Sequence, residues 1–88
     1  MAMAPDEALQ LIRGYAAAGR IFLTPHARDR MRERGVQFRD VRHGLVNAVS
    51  CRWQDDRGTW RVTTADCGGD DLVMAVALEG QDVVVTVF

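Results

Sequence analysis

Three side chains spaced four residues apart, His26, Arg30 and Arg34, are the best candidates for chemistry in this sequence. On a helix they would drift through only about 80° of arc and so share one stripe. Guanidinium groups grip phosphate oxygens bidentately, and a histidine with an ordinary pKa of about 6.5 can move a proton near neutrality. The stripe therefore suits a phosphate group. A blander reading of the same residues is a solvated helix face, with Asp29 paired to Arg32 and Glu33 to Arg30 at three-residue separation. Both readings stand at this level.

The helix that would carry the stripe is marked at both ends. Thr24 is a good N-cap, Pro25 suits the first helical position, and Gly35 can take the left-handed conformation that closes a helix. Ala27 and Met31 form the neighbouring apolar stripe, which should face a core. The cationic stripe would then lie at the rim of whatever the helix packs on.

Charge is unevenly spread. The formal net charge is −1, yet residues 20–42 hold seven arginines against Asp29, Glu33 and Asp40, a local +4. Residues 43–88 hold Arg52, Arg57 and Arg61 against seven acids, a local −4. The basic part can attract a polyanion although the whole chain is nearly neutral. All eleven basic residues are arginine and none is lysine. Arginine is the better phosphate fork, although genomic base composition produces the same bias.

At 88 residues the chain is expected to form one domain over residues 1–88, near the lower size at which a single core suffices. No segment approaches the ~20 apolar residues that span a bilayer, and no apolar run follows a basic start, so a soluble cytoplasmic protein is expected, without a membrane partner. Cys51 and Cys67 are too few and too far apart for a zinc motif, and His26 and His43 do not complete one. No metal and no cofactor are expected, and both thiols read as ordinary reduced cysteines.

The periodicity predicts a helix over Asp6–Ala18, with Leu9, Ile12 and Ala16 on one face, ended by Gly19. Ile21–Leu23 reads as a short extended piece leading into the basic helix. Phe38, Val41 and Leu45 predict a third helix to about Asn47, with Arg39, Arg42 and His43 on its outer side. The period then changes to two. Ser50–Gln54, Thr59–Ala65, Asp71–Leu78 and Val83–Phe88 read as strands separated by turn-rich segments. Short connections imply an antiparallel meander, and helices followed by strands imply an α+β fold with the helices packed on one face of the sheet.

Loop lengths predict the registers. Trp53 should face Trp60, Arg52 should face Arg61, and Cys51 should face Val62, far from Cys67. Trp60, Val62, Leu72, Met74, Val76, Leu78, Val83, Val85 and Val87 then share the core face. The opposite face carries Arg52, Arg61, Val73, Ala75, Ala77, Val84, Thr86 and Phe88, with Arg61, Ala75 and Thr86 in one row. Small side chains beside arginines describe a shallow floor with cationic edges. Facing arginines repel unless an anion lies between them, and Asp55, Asp56 or Asp66 could supply that anion internally.

These residues also carry a resemblance. Thr24-Pro25-His26-Ala27, Arg30-Met31, Arg34-Gly35, Asp40-Val41, Trp60-Arg61-Val62 and the terminal strand Val83–Phe88 resemble a small uncharacterised family with the signature His-Ala-x-x-Arg-Met-x-x-Arg-Gly, over roughly residues 7–88. That family is similar to the MqsR-type and RelE-type toxins of bacterial toxin–antitoxin pairs. The resemblance implies a RelE-like α+β fold and a metal-independent endoribonuclease acting on messenger RNA, often at the ribosome. It also implies a cognate antitoxin, frequently one with a zinc finger and helix-turn-helix. On that implication His26, Arg30 and Arg61 are the catalytic candidates, and Arg34, Arg52, Thr86 and Phe88 the substrate-binding ones. Phe88 stands where several such toxins have a tyrosine, and lysine is absent, so a non-catalytic RNA- or antitoxin-binding module is the alternative. A histidine just after a helix cap can also be purely structural, bonding a backbone carbonyl.

Overall fold

The computed structural model describes residues 3–88. Helix α1 spans Pro5–Ala17, with proline at its start and Asp6 and Glu7 in its first turn, where acidic groups complement the helix dipole. A three-residue strand, β1 (Ile21–Leu23), leads into α2 (Pro25–Arg34), and α3 covers Phe38–Val46. Strands β2 (Cys51–Gln54), β3 (Thr59–Ala65), β4 (Asp71–Glu79) and β5 (Asp82–Val87) follow. The protein is α+β, as the change of period from helical to alternating implies.

Both predicted ends of α2 are realised. The Thr24 hydroxyl accepts a hydrogen bond from the Ala27 amide at 3.0 Å, and Gly35 closes the helix at φ 69° while its N–H reaches the Met31 carbonyl. Asp40 secures the start of α3, its carboxylate accepting from the Gln37 amide at 2.9 Å.

The sheet has five strands in the order β1-β5-β4-β3-β2. The meander of β2 to β5 is antiparallel, and the predicted pairs Cys51 with Val62, Arg52 with Arg61, and Trp53 with Trp60 are all present. Arg61, Ala75 and Thr86 form the expected row. The final hairpin is tighter than its composition suggests: Glu79 already pairs with Asp82, and Gly80 takes φ 61° in the turn between them. The Leu78–Val83 register is unaffected because both strands lengthen together. The larger difference is β1, which pairs in parallel with β5 through Ile21–Val83, Phe22–Val84 and Leu23–Val85. A three-residue segment has no periodicity to read, and its partner lies at the far end of the chain.

All three helices cover one face. Ala8, Ile12 and Ala16 of α1, Ala27 and Met31 of α2, and Val41 and Leu45 of α3 join Val62, Met74, Val76, Val83, Val85 and Val87 in one buried cluster. Trp53 and Trp60 meet across β2 and β3 with ring centroids 5.1 Å apart at an interplanar angle of 60°, a tilted aromatic contact. Gly44 lets α3 approach the sheet closely: a Cβ there would lie 2.8 Å from the Thr64 Cγ2. The Thr64 hydroxyl donates to the Gly44 carbonyl at 2.9 Å across the same contact. Among the described residues no helix covers the opposite sheet face.

Candidate functional site

Alternation along β3, β4 and β5 sends every second side chain to the uncovered face. Arg61 and Thr63 are exposed there, while Val73, Ala75, Ala77, Val84, Thr86 and Phe88 are half-buried beneath their longer neighbours. Arg52 and Arg61 stand opposite one another on neighbouring strands. A shallow depression of about 440 Å³ opens beside them, lined by Ser50, Cys51, Arg52, Arg61 and Thr63.

Phe88 is the second centre of this face. Its amide donates to the Val73 carbonyl at 3.1 Å, which continues the β4–β5 ladder by one residue. The Arg61 guanidinium carbon lies 5.7 Å from the centre of its ring. Arg57, from the turn between β2 and β3, brings a second guanidinium to 5.6 Å. From the other side, Arg34 at the end of α2 donates to the Phe88 backbone oxygen. Thr86 completes the link to α2, its hydroxyl 3.2 Å from that of the cap residue Thr24.

These cations are not internally neutralised. Among the described residues the ion pairs between side chains are Arg20 with Asp82, Arg30 with Glu33, and Arg32 with Asp29, so Arg52, Arg57 and Arg61 have no side-chain carboxylate partner there, while Arg34 is engaged by the Phe88 oxygen. Of the acids that could have supplied a partner, Asp55 and Asp66 are engaged elsewhere, and Asp56 forms no ion pair among the described residues. Asp55 accepts from the Trp53 indole N–H, and Asp66 accepts from the amides of Gly68 and Asp70 at 2.9 Å each.

Of the residues singled out in the sequence, Arg34, Arg52, Arg61, Thr86 and Phe88 lie on or around one continuous surface. His26 and Arg30 belong to the Arg34 stripe by helical spacing, but neither is hydrogen-bonded or ion-paired to the sheet among the described residues. Arg30 is held at 3.5 Å from Glu33, the exposed pair anticipated from their spacing. His26 is exposed and makes no side-chain hydrogen bond among the described residues, so its ring is not fixed to a backbone carbonyl. Sequence reasoning missed Arg57. It sits in a turn, where residues are read for backbone conformation, and only the fold brings its side chain over Phe88.

Several other arginines serve the fold. Arg42 donates to the Ala17 carbonyl at 2.9 Å at the end of α1, Arg13 to the Val46 carbonyl at 3.1 Å at the end of α3, and Arg20 to the Gln81 carbonyl at 2.8 Å. Helix ends leave carbonyls without partners, and guanidinium groups satisfy them.

Among the described residues three titratable groups have displaced pKa values: Asp40 and Cys67 at the start of α3, and Cys51 at the edge of the depression beside Arg52. Hydrogen bonds from the Gln37 and Cys67 amides hold the Asp40 carboxyl below its usual range. Loss of hydration, together with the adjacent Asp40 carboxylate, pushes the Cys67 thiol up. Burial and the charge of Asp6 do the same to Cys51. Both cysteines are free thiols. Among the described residues no three His, Cys, Asp or Glu side chains converge as a ligand set, and no helix is long and apolar enough to cross a membrane.

Fold and surface together define a small α+β protein with helices on one side of its sheet and unneutralised arginines on the other. Residues 23–88 match the family described as a domain of unknown function, DUF4258, and the chain belongs to that family. Helix α1 precedes the matched region. Comparison with curated proteins and with solved structures produces no match.

Proposed function

We propose that the uncovered sheet face binds single-stranded RNA and that the protein is a metal-independent endoribonuclease of the toxin–antitoxin type. One observation carries the reading: Arg52, Arg57 and Arg61 share a face with Phe88 and, among the described residues, pair with no side-chain carboxylate. Two arginines opposite each other on neighbouring strands repel, and a bound phosphate relieves that repulsion. An aromatic ring amid cations is the combination that tracks a single strand, since bases stack on the ring while phosphates meet the charges. The His-Ala-x-x-Arg-Met-x-x-Arg-Gly resemblance adds the reaction and the partner, a cognate antitoxin.

The chemistry is attack of a ribose 2′-oxygen on the adjacent phosphorus with rupture of the P–O5′ bond. It leaves a 2′,3′-cyclic phosphate on one fragment and a 5′-hydroxyl on the other. Arg61 and Arg30 stabilise the crowded phosphorane anion, and Arg34 and Arg52 hold flanking phosphates. His26 is the proton-transfer group: it accepts the 2′-hydroxyl proton, and the departing O5′ takes its proton from solvent water. Thr86 offers a hydroxyl to the ribose and Phe88 its ring to a base.

Incubating the purified protein with messenger RNA, with and without a chelator, and mapping the fragment ends tests this directly. Cyclic-phosphate ends that persist in chelator support the reading. No binding to RNA at low ionic strength overturns it.

A second reading, binding without cleavage of RNA or of an antitoxin, is favoured by the state of the catalytic candidates. Arg30 is engaged with Glu33, and among the described residues no neighbour hydrogen-bonds the His26 ring. Salt-sensitive binding with intact RNA would select it over the first.

A further inference from the structure

Helix α2 carries arginine on both sides of its buried stripe. Ala27 and Met31 face the core. At about 100° per residue, Arg34 falls on one flank, toward Phe88, while Arg28 and Arg32 fall on the other. That second flank borders a groove of about 320 Å³ against the start of α3, with Leu23, Met31, Val36 and Phe38 along it and Arg28 and Arg32 at its rim.

Two properties set the groove apart from an ordinary crease between helices. Phe38 remains 44% exposed, among the largest apolar side chains left open to water in the fold. Arg28 has no carboxylate partner among the described residues, and Arg32 has only Asp29, 3.5 Å away with both side chains mostly in solvent. An exposed pair of that kind contributes little and yields readily to a competing carboxylate. The groove thus combines an unfilled apolar surface with cations free to accept a partner.

We infer that this groove is a docking site for an acidic segment of a partner protein that carries large apolar side chains. Charge complementarity selects acidic residues, since Arg28 and Arg32 lie one helical turn apart and can grip two carboxylates along one edge. The aliphatic lining of Leu23, Met31 and Val36 selects a leucine-like side chain rather than a stacked base. The site lies on the opposite flank of α2 from Phe88, so it is independent of the reading proposed above and leaves the sheet face free while occupied.

The test is titration of the isotope-labelled full chain with a synthetic glutamate- and leucine-containing peptide, followed by amide NMR shifts. Two control peptides replace every leucine by serine or every glutamate by lysine. Shifts at Leu23, Met31, Val36 and Phe38 are expected with the first peptide and not with the controls. Arg28→Glu, and separately Phe38→Ser, should weaken binding about tenfold, as removal of an anchor at an interface does. Both positions are exposed, so both variants should keep the wild-type spectrum elsewhere. The inference is overturned by the absence of shifts, by equal shifts with the leucine-free peptide, or by shifts confined to Arg52, Arg61 and Phe88. Displacement of the peptide from the groove by RNA would equally overturn it. Failure of RNA binding at the sheet face would leave these outcomes unchanged.

Discussion

Arg61 occupies the point where three features of the uncovered face meet: it opposes Arg52, lies over Phe88, and shares a row with Thr86. Replacing it with alanine should weaken the proposed RNA binding and flatten its salt dependence. On a single strand, removing one phosphate-neutralising cation makes the slope of log affinity against log salt shallower by about 0.7. Arg57→Ala should weaken binding in the same direction, and fluorescence anisotropy over a salt series reads both. A second residue-scale prediction concerns Asp40, whose carboxylate accepts from the Gln37 and Cys67 amides and is thereby held below the usual range. A depressed carboxyl pKa contributes stability above its unfolded value, and that contribution is lost as pH falls through the folded value. Asp40→Asn should therefore destabilise at neutral pH and lose its effect in acid, as measured by urea unfolding at several pH values. The same carboxylate helps raise the Cys67 thiol, so Asp40→Asn should also speed alkylation of Cys67 at mildly alkaline pH.

Elements pack here through small residues at specific places. Gly44 is where α3 meets β3 and β4: beyond Thr64, an added Cβ would stand 3.3 Å from the Ala65 carbonyl and 3.4 Å from Leu72. The Thr64 hydroxyl is tied to the Gly44 carbonyl, so its methyl group cannot turn away freely. Gly44→Ala should destabilise by about 1–3 kcal/mol, the usual penalty of overpacking a tight contact. Adding Thr64→Ser removes the clashing methyl, keeps the hydroxyl, and should restore part of the stability in denaturant titrations. At the same scale, the boundaries of α2 were legible because capping is local chemistry among adjacent residues. The pairing of β1 was not, because nothing within three residues specifies a partner strand.

At the scale of the whole molecule, the matched family region begins at residue 23 while the core begins earlier. Ala8, Ile12 and Ala16 of α1 are completely buried in the single apolar cluster. Deleting residues 1–19 should thus leave apolar sheet surface uncovered in a domain with little stability to spare. Loss of a cooperative thermal transition by circular dichroism is the expected outcome. A truncated chain that melts as sharply as the full one would assign the matched region an independent core.

The alternation of residues along the strands, the lengths of the loops and the caps of α2 were enough to specify the α+β class, the hairpin registers and the two faces of the sheet. Each of these depends on neighbours in sequence, and a register slip of one residue would have sent the core valines into water. Where long side chains end was a different matter. Arginine can extend in many directions, so its spacing alone could not say that Arg57 reaches over Phe88, that Arg34 bonds its backbone, or that Arg42 and Arg13 close helix ends. Nor could it say that the acids of the turns would leave the arginines of the sheet unpaired. Those outcomes depend on distances between groups remote in sequence, and only the packing of helices and strands into one tertiary structure fixes them.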